Sequence, residues 1–110
     1  MNIQIFGKNK CFDTKKAQRY FKERGVKFQA IDLLKYGISR GELTSVKNAV
    51  GLEALLDPKA ADAALVTYLA YGEDKLEKLL EDPKLLRTPI VRNGKQATVG
   101  YCPEVWKTWT

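Results

Sequence analysis

Two cysteines carry the reactive chemistry in this 110-residue sequence, Cys11 and Cys102. Cys11 ends the polar stretch Gly7-Lys8-Asn9-Lys10 and precedes a segment whose apolar residues recur at helical spacing. A helix N-terminus carries about half a positive charge and several unpaired N–H groups. Lys8, Lys10, Lys15 and Lys16 add full charges around the same point. All of these favour the thiolate, which is the nucleophilic form of cysteine. A free thiol is only about 3% ionised at pH 7. Lowering its pKa by ~2 units makes it roughly three-quarters ionised, which takes about 2.7 kcal/mol of differential stabilisation. A helix end and several lysines can supply that. The residue types therefore point to a nucleophilic Cys11 in a basic, polar loop. An inert cysteine is normally buried among apolar groups instead.

Other chemistries are excluded by what is missing. The sequence has no histidine, which removes Ser-His-Asp and Cys-His catalysis and every histidine-ligated metal site. Two cysteines cannot build a four-cysteine zinc site or an iron–sulfur cluster, and at 91 residues apart they form no CxxC pair. No metal site is expected.

The elements that must position Cys11 follow from periodicity. Asn2-Ile3-Gln4-Ile5-Phe6 alternates polar and apolar residues and stops at Gly7, the pattern of a strand. Thr14, Ala17, Tyr20 and Phe21 mark one face of a helix that begins near Asp13 and stops before Gly25. Val26 to Leu33 reads as a second strand. Strand, helix and strand in this order predict a right-handed βαβ unit with Cys11 at its functional edge.

The middle of the chain is helical. Ser39 and Glu42 form a capping-box pair before Leu43, Val46 and Val50, with Gly51 as the stop. Asp57-Pro58 predicts a helix start, with Leu65, Tyr68 and Leu69 on its apolar face and an end near Gly72. Tyr68, Leu69 and Tyr71 are expected to pack among the helices. Glu73 to Glu81 predicts a short helix, broken at Asp82-Pro83. Two strands then flank Asn93-Gly94, a hairpin dipeptide, and Pro103 to Trp109 closes the chain as a helix. The expected fold is α/β: one domain over residues 1–110, ordered βαβ, helical insert (35–85), ββα, with a four-stranded mixed sheet flanked by helices.

Composition sets the remaining bounds. Charged residues make up 29% of the chain and hydrophobic residues 45%, which suits a globular domain with a net charge of +6. Lysines are interleaved with acidic residues, and no aromatic-basic RNA-binding string or zinc finger is present, so no direct nucleic-acid contact is expected. The longest nearly apolar stretch, Ala60 to Tyr71, is too short to span a bilayer and contains Asp62. The N-terminal residues lack the charge and apolar pattern of a secretion signal. A cytoplasmic monomer with reduced cysteines is the expectation.

Three segments together resemble the arsenate reductase (ArsC)/Spx family, a glutaredoxin-like branch of the thioredoxin fold. Gly7-Lys8-Asn9-Lys10-Cys11-Phe12-Asp13-Thr14-Lys15-Lys16-Ala17 resembles the family's active-site segment. Leu86-Arg87-Thr88-Pro89-Ile90-Val91 resembles the stretch that carries the fold's cis-proline. Val99-Gly100-Tyr101-Cys102-Pro103-Glu104 resembles the element that opens the last helix. The resemblance implies Cys11 as the nucleophile, with Lys8, Asn9, Lys10, Thr14, Lys15, Thr88 and Pro89 as substrate-binding residues. It implies a cis bond before Pro89, with Thr88 offering its backbone to an extended substrate. Cys102 is then a candidate resolving cysteine.

The departures bear on activity. Arsenate-reducing members of the family hold the oxyanion with three arginines, and the matching positions here are Thr88, Cys102 and Asp57, with Lys59 near the last. Lysine does not replace a bidentate arginine clamp. Thr14 stands where the family often has a second cysteine, so the local disulfide switch of Spx-type regulators is absent, while a threonine hydroxyl can donate to the thiolate. The expected function is a glutaredoxin-like thiol–disulfide oxidoreductase. It would bind no cofactor and would take glutathione or a similar thiol as co-substrate, with low-molecular-weight thiols or protein disulfides as partners. Two alternatives stand beside it. One is an Spx-like adaptor for the RNA polymerase α subunit, and the other is an arsenate reductase with an altered anion site.

Overall fold

The computed structural model describes residues 2–61, 63–68 and 72–109. Strand β1 (Ile3–Gly7) leads into helix α1 (Phe12–Glu23) and strand β2 (Phe28–Asp32). Four helices follow: α2 (Leu33–Tyr36), α3 (Arg40–Val50), α4 (Ala63–Thr67) and α5 (Gly72–Glu81). Short 3-10 turns cover Glu53–Leu55 and Pro83–Leu85. Strands β3 (Ile90–Asn93) and β4 (Gln96–Val99) and helix α6 (Pro103–Trp106) complete the order. No helix among the described residues is long and apolar enough to cross a membrane.

The sheet order is β2-β1-β3-β4. β1 and β2 are parallel, as a crossover through α1 requires, and β1–β3 and β3–β4 are antiparallel. This is the mixed four-stranded, thioredoxin-like architecture. Alternation along β1 divides the core in two. Ile3 and Ile5 face α1 and α6, packing with Ala17, Tyr20, Phe21, Val91 and Trp106. Phe6 faces the other way, into a larger cluster with Leu33, Leu43, Val46, Leu79 and Ile90. The α1 face read from sequence is the buried one: Thr14, Ala17, Tyr20 and Phe21.

Local signals explain most element ends. Ser39 Oγ accepts from Glu42 N–H at 3.1 Å, and the Glu42 carboxylate accepts from Ser39 N–H at 3.0 Å, so the capping box forms as read. Gly51, at φ +88°, ends α3. Three local readings need correction. The hairpin turn is Gly94-Lys95, one residue later than expected, because Asn93 pairs with Gln96 inside the ladder. Gly94 supplies the positive φ at the first turn position, as in a II′ turn. Asp57 does not start a helix: its N–H is held by Leu85 O at 2.8 Å, and its carboxylate caps only a local turn at Lys59 N–H (2.9 Å). Tyr68 is 85% exposed rather than packed among the helices. The side chain of Leu65, and Leu69 and Tyr71 altogether, lie outside the described residues.

The end of β1 meets α1 without clearance. A Cβ at Gly7 would stand 2.1 Å from Thr14 Cγ2 and 3.0 Å from its Cβ. Threonine is short and stiff at χ1, so it cannot swing aside. Gly7→Ala is expected to cost about 1–3 kcal/mol as an overpacking change. It should also slow alkylation of Cys11 by displacing Thr14. Urea unfolding and a thiol-alkylation time course would check both, and an unchanged midpoint would contradict the contact.

Candidate active site

Cys11 is the N-cap of α1, in extended backbone conformation, and is half-buried. Its N–H donates to Lys8 O at 3.1 Å, which closes the loop behind β1. The Thr88-Pro89 peptide bond is cis, as the family resemblance implied. Cys11 Sγ donates to Thr88 O at 3.6 Å, so the nucleophile lies against the backbone just before the cis-proline. Thr88 and Pro89 are buried.

Burial pushes the Cys11 thiol up, but hydrogen bonds outweigh it and hold the pKa below its ordinary value. The Thr14 hydroxyl leads among them, followed by Thr88 and the N–H groups of Thr14 and Asp13. The Thr14 hydroxyl is buried and has no oxygen or nitrogen partner. A thiol that donates to Thr88 O leaves that hydroxyl unpaired, whereas a thiolate accepts from it. Ionisation thus removes an unsatisfied buried donor, which costs roughly 1–3 kcal/mol while it persists.

An open cleft of about 640 Å³ fronts the sulfur. Lys8, Lys10 and Thr88 line it with Cys11, and so do Asp13, Asp57, Lys59 and Arg87. The structure therefore brings Lys8, Lys10, Cys11 and Thr88 together. Asn9 and Lys15 line a second cleft on the β2 side, with Thr14 at its wall. Lys8 is committed inward. Its ammonium donates to Leu86 O at 2.7 Å and to Lys84 O at 3.0 Å, fixing the nucleophile loop to the segment before the cis-proline. Burial lowers the Lys8 pKa, against the opposing pull of Asp57, Cys11 and Asp82. Phe12, next to the nucleophile, is 77% exposed, with Lys15 Nζ 5.8 Å from its ring centre.

Cys102 is not among the residues that line the Cys11 cleft. It is the N-cap of α6, donates its thiol to Val99 O at 3.4 Å and packs against the Ile3–Trp106 cluster. Burial and Glu104 raise its pKa, against the Arg87 charge and a hydrogen bond from Thr98. Both cysteines are free thiols.

Arg87 is the residue that sequence reading missed. Its N–H is held by Leu55 O at 2.8 Å, and its guanidinium lies over Gly100, where a Cβ would stand 3.5 Å from Nη2. Gly100, at φ +87°, is brought there by its N–H bond to Pro89 O at 2.9 Å. The weak signal was a glycine in the last family segment paired with an arginine beside the cis-proline. Only the tertiary fold shows that the two meet.

The family question is decided by extent. A model of the ArsC family matches residues 6–109. The chain belongs to the ArsC family. Global transcriptional regulator Spx 2 from Oceanobacillus iheyensis is 28% identical over 107 residues, covering 92% of this chain and 78% of that protein. An ArsC family-related protein from Bacteroides fragilis superposes with a TM-score of 0.87 over the full length of both chains at 16% identity. Arsenate reductase from Vibrio cholerae superposes with a TM-score of 0.83 at 24% identity, covering 96% of this chain and 94% of that one. Membership of the ArsC family and the thioredoxin-like sheet agree on a broadly thiol-based oxidoreductase chemistry.

Proposed function

We propose that this ArsC-family chain is a glutaredoxin-like thiol–disulfide oxidoreductase in which Cys11 works as a single nucleophile. The observation that carries this reading is the Cys11 sulfur, placed against Thr88 and cis-Pro89 with a buried Thr14 hydroxyl free to receive its charge. The Cys11 thiolate attacks one sulfur of a glutathione mixed disulfide. A Cys11–glutathione disulfide forms, and the other sulfur leaves as a thiolate that takes a proton from water. A second glutathione thiolate then attacks the glutathione sulfur, restoring Cys11 and releasing oxidised glutathione. The net exchange turns the mixed disulfide and one glutathione thiol into the free substrate thiol and oxidised glutathione, so the sulfur released as thiol is reduced at the expense of that one incoming glutathione. Thr88 pairs with the extended backbone of glutathione, and Lys10, Lys15 and Arg87 attract its carboxylates, with Asn9 as a neutral donor. Cys102 takes no part in this route, since its raised pKa and its bond to Val99 O favour an inert thiol.

Arsenate reduction fits this cleft less well. Asp13 and Asp57 share it with the cations, and a dianion would meet both carboxylates. The adaptor reading has one observation in its favour, the exposed Leu34 and Tyr36 on α2 and the exposed Tyr68 just after α4. Such side chains suit a protein contact, with the RNA polymerase α subunit as the partner that the family resemblance implies.

The test is the pH dependence of alkylation, with Cys102→Ser used to isolate Cys11. Only the thiolate reacts, so the rate rises with pH through the Cys11 pKa and levels off above it. The midpoint should fall below that of free cysteine in the same assay. Thr14→Val keeps the shape and removes the hydroxyl, and should move the midpoint upward. A midpoint at or above the free value would overturn the nucleophile assignment.

A further inference from the structure

The net charge of the chain is concentrated in one segment. Residues 8–27 carry eight lysines and arginines against two carboxylates, which is the whole +6, and the remaining residues balance at eleven of each sign. Lys8 is committed to backbone carbonyls, but Lys15, Lys16, Arg19 and Lys22 stand exposed on α1. None of them pairs with a carboxylate: the two ion pairs among the described residues are Arg40–Glu77 and Arg92–Glu42. Like charges three or four residues apart on a helix repel one another. An anionic partner would relieve that repulsion.

A cleft of about 420 Å³ opens beside these cations, between α1 and the start of α6. Lys16, Arg19, Arg24 and Tyr101 line it, with Glu23 as one carboxylate against three cations. Aromatic rings hold two of those cations. The Arg24 guanidinium lies 3.7 Å over the Tyr20 ring, and Lys16 Nζ lies 5.6 Å from the Tyr101 ring centre. A ring carries no net charge, so these contacts place the cations without neutralising them. Arg24 also donates to Tyr20 O at 3.2 Å, which uses one of its five N–H donors.

The position of the cleft relative to the nucleophile selects its occupant. Cys11 caps the N-terminus of α1, and at about 1.5 Å per residue Arg19 lies about 12 Å further along the helix. An extended chain covers that distance in about four residues. A polypeptide can therefore set a disulfide at Cys11 and a carboxylate in the cleft together. Glutathione cannot, because its carboxylates lie within a residue or two of its sulfur. A phosphate backbone has the charge but offers no disulfide. We propose that the Lys16–Arg19–Arg24 cleft docks acidic side chains of a protein substrate, about four residues from the cysteine whose glutathione disulfide Cys11 exchanges. The docking rests on the exchange reading of Cys11 and adds its substrate class, glutathionylated cysteines in an acidic setting. The bonds are those of that exchange. A Cys11–glutathione disulfide forms, the bond from glutathione to the substrate cysteine breaks, and that cysteine leaves as a thiolate that takes a proton from water. The α1 charge raises the encounter rate of acidic substrates, and salt screens it.

Three undecapeptides test the docking. Each has a central cysteine, carried as the glutathione mixed disulfide and separated by glycine and serine from two residues at either end. The end residues are glutamate, glutamine or lysine. At low salt, kcat/KM for the glutamate peptide should be about tenfold above that for the glutamine peptide, with the lysine peptide lower still. The gap should shrink to about twofold in ~0.5 M salt. The double variant Lys16→Glu, Arg19→Glu, at exposed positions, should erase the glutamate preference and leave the glutamine peptide within about a factor of two. Equal values for the three peptides, or a preference that survives the double variant, would overturn the docking, while the glutamine peptide still reports the exchange. Binding is read without exchange in full-length Cys11→Ser protein, using the glutamate peptide with its cysteine S-methylated. Saturable amide shifts at Lys16, Arg19, Arg24 and Tyr101 are expected. Such shifts without turnover of any peptide would uphold the docking and overturn the exchange reading alone. No shifts at millimolar peptide would overturn the proposal. So would a single-stranded oligonucleotide that moves the same resonances at lower concentration, because the occupant would then be a phosphate backbone.

Discussion

Cys11→Ser is expected to reduce glutathione-dependent disulfide exchange to the rate of the protein-free reaction. Cys102→Ser is expected to leave it within about a factor of two, the ordinary range for a replacement away from the reacting groups. The asymmetry has a physical basis. The Cys11 sulfur gains from ionisation, because the buried Thr14 hydroxyl and the N–H groups at the start of α1 accept its charge. The Cys102 sulfur loses, because it packs against apolar residues and has Glu104 nearby. A serine hydroxyl stays protonated at neutral pH and cannot replace the thiolate. The measurement is steady-state turnover of a glutathione mixed disulfide by wild type and both variants, coupled to glutathione reductase. Loss of turnover in Cys102→Ser, with the protein trapped as the Cys11–glutathione disulfide, would assign a resolving role to Cys102 and replace the one-cysteine route. Activity remaining in Cys11→Ser would remove the site altogether.

Trp106→Ala is expected to destabilise the fold by about 3–5 kcal/mol, the usual cost of truncating a large core aromatic. A domain of this kind has only about 5–15 kcal/mol to lose. Trp106 is fully buried and meets three rings, with Tyr20 at 5.2 Å, Phe21 at 5.3 Å and Tyr101 at 5.5 Å between centroids. Its indole N–H donates to the buried Thr98 hydroxyl at 2.7 Å, tying α6 to β4. The cavity would open between α1, α6 and the sheet, beneath the helix whose N-terminus carries Cys11. Urea unfolding followed by circular dichroism gives the number. A loss below about 1 kcal/mol would mean that the ring is not a core anchor.

The two variants separate chemistry from scaffold. Cys11→Ser should unfold where wild type does, since its side chain is only half-buried and caps no helix bond. Trp106→Ala should keep its thiol chemistry at temperatures where it remains folded.

The sequence by itself determined whatever depends on neighbours along the chain. The period-two alternation of Ile3 and Ile5, the α1 face of Ala17, Tyr20 and Phe21, and the Ser39–Glu42 capping box each involve residues a few positions apart, and each forms as read. The position of Cys11 at the start of α1 belongs here too. Errors arose where a distant partner overrode a local signal. Asp57 carries the local mark of a helix cap, but Leu85 O holds its N–H, and Asn93 carries the mark of a turn, but its pairing with Ile3 in the β1–β3 ladder claims it for the strand. The cis bond before Pro89 was legible only through the family resemblance, because cis X-Pro is otherwise uncommon. Tertiary structure alone decided the rest of the site: the meeting of Cys11 with Thr88, the inward commitment of Lys8, and the arrival of Arg87 over Gly100. Those contacts join residues 77 or 78 apart in the Cys11 and Lys8 cases. No local spacing encodes such a distance; it is set when the β1–β3 pairing and the packing of the intervening helices bring the two ends of the chain together.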